Sequence, residues 1–291
     1  MKTGVIGLGA MGTGMAYQLH TAGMLSVIWN RSRVRAEDFS DNYPVLIAES
    51  PAELVTHCDV IITCVSADAD LVEVVNAMLP GLQAGQVIVD TSTVSITTVK
   101  ALAGQLEEQQ VSFLDAPVSG GVEGARNGNL VMMVGGDKSV LQKITPALDA
   151  MTRKISWMGE SGTGQATKAV NQVMAAGINQ AVTESLALAE AMKLPLEEVI
   201  DVLSDGAAGN WFLQHRGKTM VNSQYEAGFK VALHKKDLDL CREMAEAVSA
   251  LDMRLPIIEM TRIHYERLLD QGYGDEDISA LYRLKRAMFD E

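Results

Sequence analysis

Three glycines near the start of the chain have the spacing of a turn that binds a nucleotide pyrophosphate. The pattern Gly7-x-Gly9-x-x-Gly12 follows an apolar run and precedes a helical pattern. In such a turn the first glycine permits a tight bend, the second lets the backbone approach a pyrophosphate, and the third permits close packing of helix on strand. The residues predicted to make this contact are Gly7, Leu8, Gly9, Ala10, Met11 and Gly12.

A basic segment follows the second apolar run, where a dinucleotide site usually has an acidic residue for the ribose 2′-hydroxyl of NAD. Here the sequence is Asn30-Arg31-Ser32. A carboxylate would repel a 2′-phosphate, whereas an arginine and a hydroxyl would bind one. The segment therefore favours NADP(H), with NAD(H) as the second choice. The alternative interpretation is that the arginines of this segment lie at the solvent-exposed start of a helix and bind no cofactor.

A lysine and two amides share one face of a long helical pattern. Lys168, Asn171 and Gln172 are three and four residues apart, shortly after Gly162 and Gly164. A lysine on such a face either reaches solvent or a carboxylate, or donates a proton inside a cleft. The helix alone does not decide between these roles.

Two further segments have polar chemistry. Ser119-Gly120-Gly121 follows a predicted strand, and its successive N–H groups could form a nest for an anion such as a substrate carboxylate. A simple strand-to-loop turn is the alternative. Lys236-Asp237, taken alone, is typical of a solvated charge cluster at a helix start.

Short apolar runs alternate with helical patterns in the first half of the chain. This alternation predicts the α/β class, with a Rossmann-type doubly wound parallel sheet. The second half predicts an all-helical domain, joined by a long helix at about residues 164–193. The predicted domains are 1–161 and 162–291. Predicted strands are 3–8, 26–30, 59–65, 86–90, 112–116, 130–134 and 155–158, and later helices are 196–204, 213–221, 233–250, 256–269 and 278–289.

The composition excludes some classes of partner and indicates a cellular compartment. The formal charge of −13 argues against nucleic acid and anionic membranes as partners, and no apolar run approaches the roughly 20 residues of a membrane span. The three cysteines and five histidines lack the spacing of a metal site or disulfide framework. We therefore expect a cytoplasmic protein without a bound metal.

Four motifs, in order along the whole chain, resemble the β-hydroxyacid dehydrogenase family. This family includes 3-hydroxyisobutyrate dehydrogenase, tartronate semialdehyde reductase and glyoxylate/succinic semialdehyde reductases. The motifs are the glycine turn at residues 7–12, the segment 115–121, the pattern Gly162-x-Gly164-x-x-x-Lys168-x-x-Asn171, and Lys236-Asp237-Leu238.

The resemblance implies a role for each matching residue. Lys168 would be the catalytic lysine, and Asn171 would orient the substrate. The substrate carboxylate would bind Ser119, Gly120 and Gly121. The remaining cofactor contacts implied are Val65, Ser92, Thr93 and Lys236, with Asp237 beside Lys236.

The expected activity is reversible hydride transfer between NADP(H) and a short semialdehyde with a carboxylate, or the matching 3-hydroxy acid. Lys168 would act as general acid and base. Tartronate, succinic and methylmalonate semialdehydes and glyoxylate are the candidate substrates. Alternatives are an NAD-dependent 3-hydroxy acid dehydrogenase working oxidatively, an imine reductase, and an inactive cofactor-binding module. The resemblance also implies a homodimer or homotetramer.

Overall fold

The structure is a computed structural model that describes residues 1–248 and 255–289. The chain divides into two compact units, residues 1–168 and 169–291. The division falls within the long helix α8 (Thr163–Ala191).

The first unit is built on a nine-stranded sheet flanked by helices. Its strands are β1 (Thr3–Ile6), β2 (Leu25–Trp29), β3 (Leu46–Ile47), β4 (Val60–Thr63), β5 (Val87–Asp90), β6 (Ser112–Asp115), β7 (Val118–Ser119), β8 (Leu130–Gly135) and β9 (Thr152–Gly159). Its helices are α1 (Ala10–Thr21), α2 (Arg33–Asn42), α3 (Pro51–Val55), α4 (Asp68–Met78), α5 (Ile96–Glu107), α6 (Gly121–Arg126) and α7 (Lys138–Leu148), with a 3-10 turn at Leu79–Gly81.

Six strands form the parallel part of the sheet, in the order β3-β2-β1-β4-β5-β6. Strands β1, β4 and β5 are buried along their whole length, which explains their nearly continuous apolar sequences. This is the strand order of a doubly wound dinucleotide-binding sheet. In such sheets ligands bind beyond the carboxyl ends of the strands, where the order reverses between β1 and β4.

The α/β fold class is confirmed, but the far edge of the sheet is not parallel throughout. Strand β8 runs antiparallel to β6 and β7, and β9 then returns parallel to β8 after helix α7. The segment between β6 and β8 holds the two-residue strand β7 and the six-residue helix α6 instead of a full crossover helix. Because a parallel return needs such a crossover, β8 comes back in the opposite direction.

The described part of the second unit consists of helices, apart from an isolated bridge between Lys230 and Asp277. After α8 come α9 (Leu196–Asp205), α10 (Trp211–Val221), α11 (Val231–Val248), α12 (Pro256–Asp270), a 3-10 turn at Ile278–Ala280 and α13 (Leu281–Ala287). Residues 249 and 250 of the predicted helix 233–250 lie outside the described residues.

The helices of the second unit enclose their own apolar core. Its members include Leu186 on α8, Phe212 on α10, Leu238 on α11, Tyr265 on α12 and Tyr282 on α13. Among the helices of the described ranges, none has a stretch long and apolar enough to cross a membrane.

Candidate active site

Close backbone contacts in the turn between β1 and α1 require glycine at two of its three glycine positions. Gly7 has a φ of +96°, and a Cβ added there would overlap the carbonyl oxygen of Cys64. A Cβ on Gly12 would overlap the Gly7 carbonyl oxygen, whereas a Cβ on Gly9 would meet nothing within 4 Å. Gly7 and Gly12 are therefore needed for packing within the protein, and Gly9 faces open space. Helix α1 begins directly after it, where the first N–H groups have no partner within the helix.

Asn30, at the end of β2, is part of this turn. Its side-chain oxygen Oδ1 accepts a hydrogen bond from the Leu8 N–H at 2.8 Å, and its Nδ2 donates to the Ser32 carbonyl oxygen at 2.9 Å. The amide therefore fixes the backbone of two segments that were predicted to contact the cofactor. Ser32 precedes α2 at its N-cap position, with no hydrogen bond from its side chain to the helix.

Arg31 lies beside two carboxylates on α4. Its Nη1 is 2.9 Å from Asp70 Oδ1 and 4.0 Å from Glu73 Oε2, and 73% of its side chain is exposed. The neighbouring Arg33 pairs instead with Glu37 and Glu49. Of these two arginines, Arg31 directly follows Asn30, so it is the one nearest the glycine turn along the chain. Its guanidinium is accessible, but carboxylates already compete for it.

Ser92 connects two segments predicted to surround the cofactor. Its hydroxyl donates to Asp90 Oδ1 at 2.7 Å and accepts from the Val65 N–H at 2.9 Å. Thr63 donates to the same Asp90 oxygen at 2.8 Å. Val65 is therefore held to Ser92, while Thr93 is the half-buried residue that follows.

Asp90 is a buried carboxylate that sequence reasoning did not select. It is fully buried at the end of β5, and burial raises its pKa to about 6, although the hydrogen bonds from Ser92 and Thr63 oppose that shift. Its Oδ2 has no hydrogen-bond partner. The available signal was a single acidic residue closing the apolar run Val87–Asp90, at the sheet edge where ligands bind.

Lys168 lies on α8 with only 8% of its surface exposed. Its Nζ donates to the Val118 carbonyl oxygen at 2.9 Å. The residues that follow Val118 are Ser119, Gly120 and Gly121, and the two glycines have φ angles of +133° and +63°. The structure thus brings the predicted catalytic lysine next to the turn predicted to bind a carboxylate.

Asn171 and Lys236, both in the second unit, are linked through two hydrogen bonds and an ion pair. The Asn171 side-chain amide donates to Gln172 Oε1 at 2.8 Å, and Gln172 Nε2 donates to Asp237 Oδ2 at 2.7 Å. Lys236 Nζ lies 3.2 Å from the other oxygen of Asp237. Gln172, which the sequence placed on the same face but gave no role, is buried between the two predicted site residues.

Known protein families match nearly the whole chain. Residues 2–159 match the family described as "NAD binding domain of 6-phosphogluconate dehydrogenase", and residues 162–285 match "NAD-binding of NADP-dependent 3-hydroxyisobutyrate dehydrogenase". A 2-hydroxy-3-oxopropionate reductase of Escherichia coli (strain K12) is 34% identical over 292 residues, covering 99% of this chain and 98% of the relative. The chain belongs to the β-hydroxyacid dehydrogenase family.

Two further similarities agree with this family membership. The chloroplastic glyoxylate/succinic semialdehyde reductase 2 of Arabidopsis thaliana is 29% identical, covering 99% of this chain and 80% of that protein. The structure of a 3-hydroxyisobutyrate dehydrogenase from Mycobacterium tuberculosis with L-serine superimposes with a TM-score of 0.86 at 28% identity, covering 98% of this chain and 99% of that one. This β-hydroxyacid dehydrogenase is an NAD(P)-dependent oxidoreductase that acts as a hydroxyacid dehydrogenase or semialdehyde reductase.

Proposed function

We propose that the enzyme reduces a short semialdehyde carrying a carboxylate, with NADPH as reductant and Lys168 as general acid. The observation that carries this proposal is the buried Lys168 ammonium, bonded to the Val118 carbonyl directly before the Ser119-Gly120-Gly121 turn. The proton donor on α8 then lies beside the turn whose backbone N–H groups would bind the carboxylate. Such a pair suits a substrate whose carbonyl and carboxylate are a few bonds apart.

The first unit fits a dinucleotide. The open space beside Gly9 and the start of α1 suit a pyrophosphate, and the accessible Arg31 suits a 2′-phosphate. NADPH, when bound, supplies the hydride. We assign cofactor binding to residues 7–12 and 30–32, and, from the resemblance, to Val65, Ser92, Thr93 and Lys236.

Lys168 would protonate the substrate oxygen as the carbonyl is reduced. The proton on Nζ moves to the developing alkoxide, which leaves a hydroxy acid and a neutral lysine that regains a proton from water. In the reductive direction Lys168 acts in its protonated form, and in the oxidative direction it acts as the neutral amine. Asn171, one turn further along α8, would hold the same oxygen, and the Ser119 turn would hold the carboxylate.

The test is the Lys168→Met variant, assayed with NADPH and a panel of glyoxylate and of succinic, tartronate and methylmalonate semialdehydes. We expect kcat to fall about 100- to 10,000-fold because the proton donor is lost, while NADPH binding measured by fluorescence titration is retained. The control is Lys143→Met, which removes an exposed lysine on α7. Near-normal turnover by Lys168→Met would refute the proposal.

Oxidation of a 3-hydroxy acid is the second candidate. The oxidative reaction is supported by the match of residues 162–285 to the family named after NADP-dependent 3-hydroxyisobutyrate dehydrogenase. The use of NAD(H) is supported only by the carboxylates that compete for Arg31. Assays in both directions with both cofactors distinguish the two candidates. Faster oxidation with NAD⁺ than reduction with NADPH would favour the second.

We also propose that the enzyme works as a homodimer or homotetramer in the cytoplasm. Along α8 and just past its end, exposed apolar side chains recur every four or seven residues in a stripe that a second copy could cover, formed by Val170, Met174, Ala181, Leu188 and Met192. Sedimentation analysis of the purified protein tests the oligomeric state. The three free cysteines suit a reducing compartment.

A further inference from the structure

A buried carboxylate fixes the start of the helix that carries Lys168. Asp115 is the last residue of β6 and is fully buried. Its Oδ1 accepts the Gly162 N–H at 2.8 Å, and its Oδ2 accepts the Gln165 N–H at 2.9 Å. The carboxylate therefore binds two backbone donors at the first turn of α8, where helices lack partners of their own.

Glycines allow the backbone to close around this carboxylate. A Cβ on Gly164 would lie 2.5 Å from the Asp115 carbonyl oxygen and 2.8 Å from its Oδ2. A Cβ on Gly135, at the end of β8, would overlap Asp115 Oδ1. A side chain at either position would push α8 away from β6, so these glycines and the carboxylate form one close-packed joint.

Residues 115–118 bind both the helix backbone that precedes Lys168 and the Lys168 side-chain nitrogen. Asp115 binds the N–H of Gln165, which precedes Lys168 by three residues, a rise of about 4.5 Å along the helix. Val118, three residues beyond Asp115, accepts the hydrogen bond from the Lys168 ammonium. The helix backbone and the ammonium are thus both fixed to residues 115–118.

We propose that Asp115 is the positioning residue for Lys168: by binding the first turn of α8, its carboxylate sets the place of the lysine ammonium beside the Ser119 turn. This inference rests on the proposed role of Lys168 as the acid. In this proposal Asp115 acts through the helix and does not act on the reacting atoms. Loss of the carboxylate would move the ammonium without removing it.

The test is Asp115→Asn, which keeps one acceptor but places an N–H₂ group against a backbone donor. We expect kcat to fall about 10- to 100-fold, as for a displaced catalytic group, with the KM for NADPH within about twofold of wild type. The matched control is Asp137→Asn: Asp137 caps α7, a different helix, by accepting the N–H groups of Ser139 and Val140. That variant should keep its kcat.

A double-variant cycle separates positioning from general stabilisation. In the Lys168→Met background, Asp115→Asn should lower the residual kcat no further, because its effect passes through the lysine. Additive losses, or an unchanged kcat in Asp115→Asn alone, overturn the inference. Asp115→Ser, whose hydroxyl can still cap the helix, serves as the second variant. Loss of folding in both variants would assign the carboxylate to folding and also overturn the positioning role. Full turnover by Lys168→Met would instead overturn the proposed function.

Discussion

Replacing Asp70 with asparagine should shift the enzyme's cofactor selectivity toward NADPH and away from NADH. In the structure Asp70 holds Arg31 Nη1 at 2.9 Å, and Glu73 lies at 4.0 Å. A 2′-phosphate that binds Arg31 must share the guanidinium with a carboxylate of its own charge. Asp70→Asn keeps the shape of the side chain and removes the charge, whereas NADH has no phosphate at this position and should be unaffected.

The size of the effect of Asp70→Asn follows from the solvent exposure of the Arg31–Asp70 ion pair. An ion pair in which the arginine is 73% exposed is worth at most about 1 kcal/mol, and repulsion between the carboxylate and the phosphate in water adds a similar amount. Because part of this is screened by salt and Glu73 remains, we expect about 1 kcal/mol in total, or roughly a fivefold lower KM for NADPH. The effect should shrink as the ionic strength rises.

The assay is the initial rate of cofactor oxidation with each reduced cofactor, at low and high salt. Glu49→Gln is the control, since it removes one of the two carboxylates paired with Arg33, leaving Glu37, and should not alter the cofactor ratio. Arg31→Ala should raise the KM for NADPH and abolish the effect of Asp70→Asn. An unchanged NADPH to NADH ratio in Asp70→Asn at low salt would contradict the reasoning about Arg31.

Two further predictions concern stability. Gly12→Ala should lower the Tm by several degrees or prevent folding, because its Cβ overlaps the Gly7 carbonyl oxygen, whereas Gly9→Ala should keep the Tm and lose the stabilisation that NADPH gives in a thermal-shift assay. Equal Tm losses would contradict this difference. For Asp90, burial raises the pKa from 3.8 to about 6, so the folded state holds the proton more tightly and stability from this group falls as pH rises from about 4 to about 6. The free energy of unfolding of Asp90→Asn, measured with denaturant, should therefore rise relative to that of wild type across that pH range, by at most about 3 kcal/mol. A difference between the two proteins that does not change with pH would exclude a raised pKa for Asp90.

The parallel part of the fold was predictable because strands buried on both faces have nearly continuous apolar sequences. Strands β4 and β5 are buried on both faces, so their residues are almost all apolar. Strands β3 and β7 have two residues each, too few to show any period. The antiparallel return of β8 depends on how residues 116–129 fold back, and no local pattern of apolar residues encodes that direction.

Some residues of the candidate site could also be predicted from the sequence, and others could not. The glycines and Lys168 stand out because few other residue types suit a tight turn or a buried proton donor. Asp90 and Asp115 do not stand out, because an acidic residue after a strand is equally typical of an exposed loop. Their importance comes from partners far along the chain, such as the N–H of Gln165.

The two hydrogen bonds of Asn30 have a consequence for changing the cofactor of this enzyme. A common way to favour NAD(H) would be to place an acidic residue at the end of β2. An aspartate in place of Asn30 could still accept from the Leu8 N–H, but it would set a carboxylate oxygen against the Ser32 carbonyl oxygen that the amide now binds. The residue that shapes the turn is thus distinct from the exposed Arg31 and its half-buried partner Asp70. Selection could therefore retune cofactor choice through Arg31 and Asp70 while the turn stays intact.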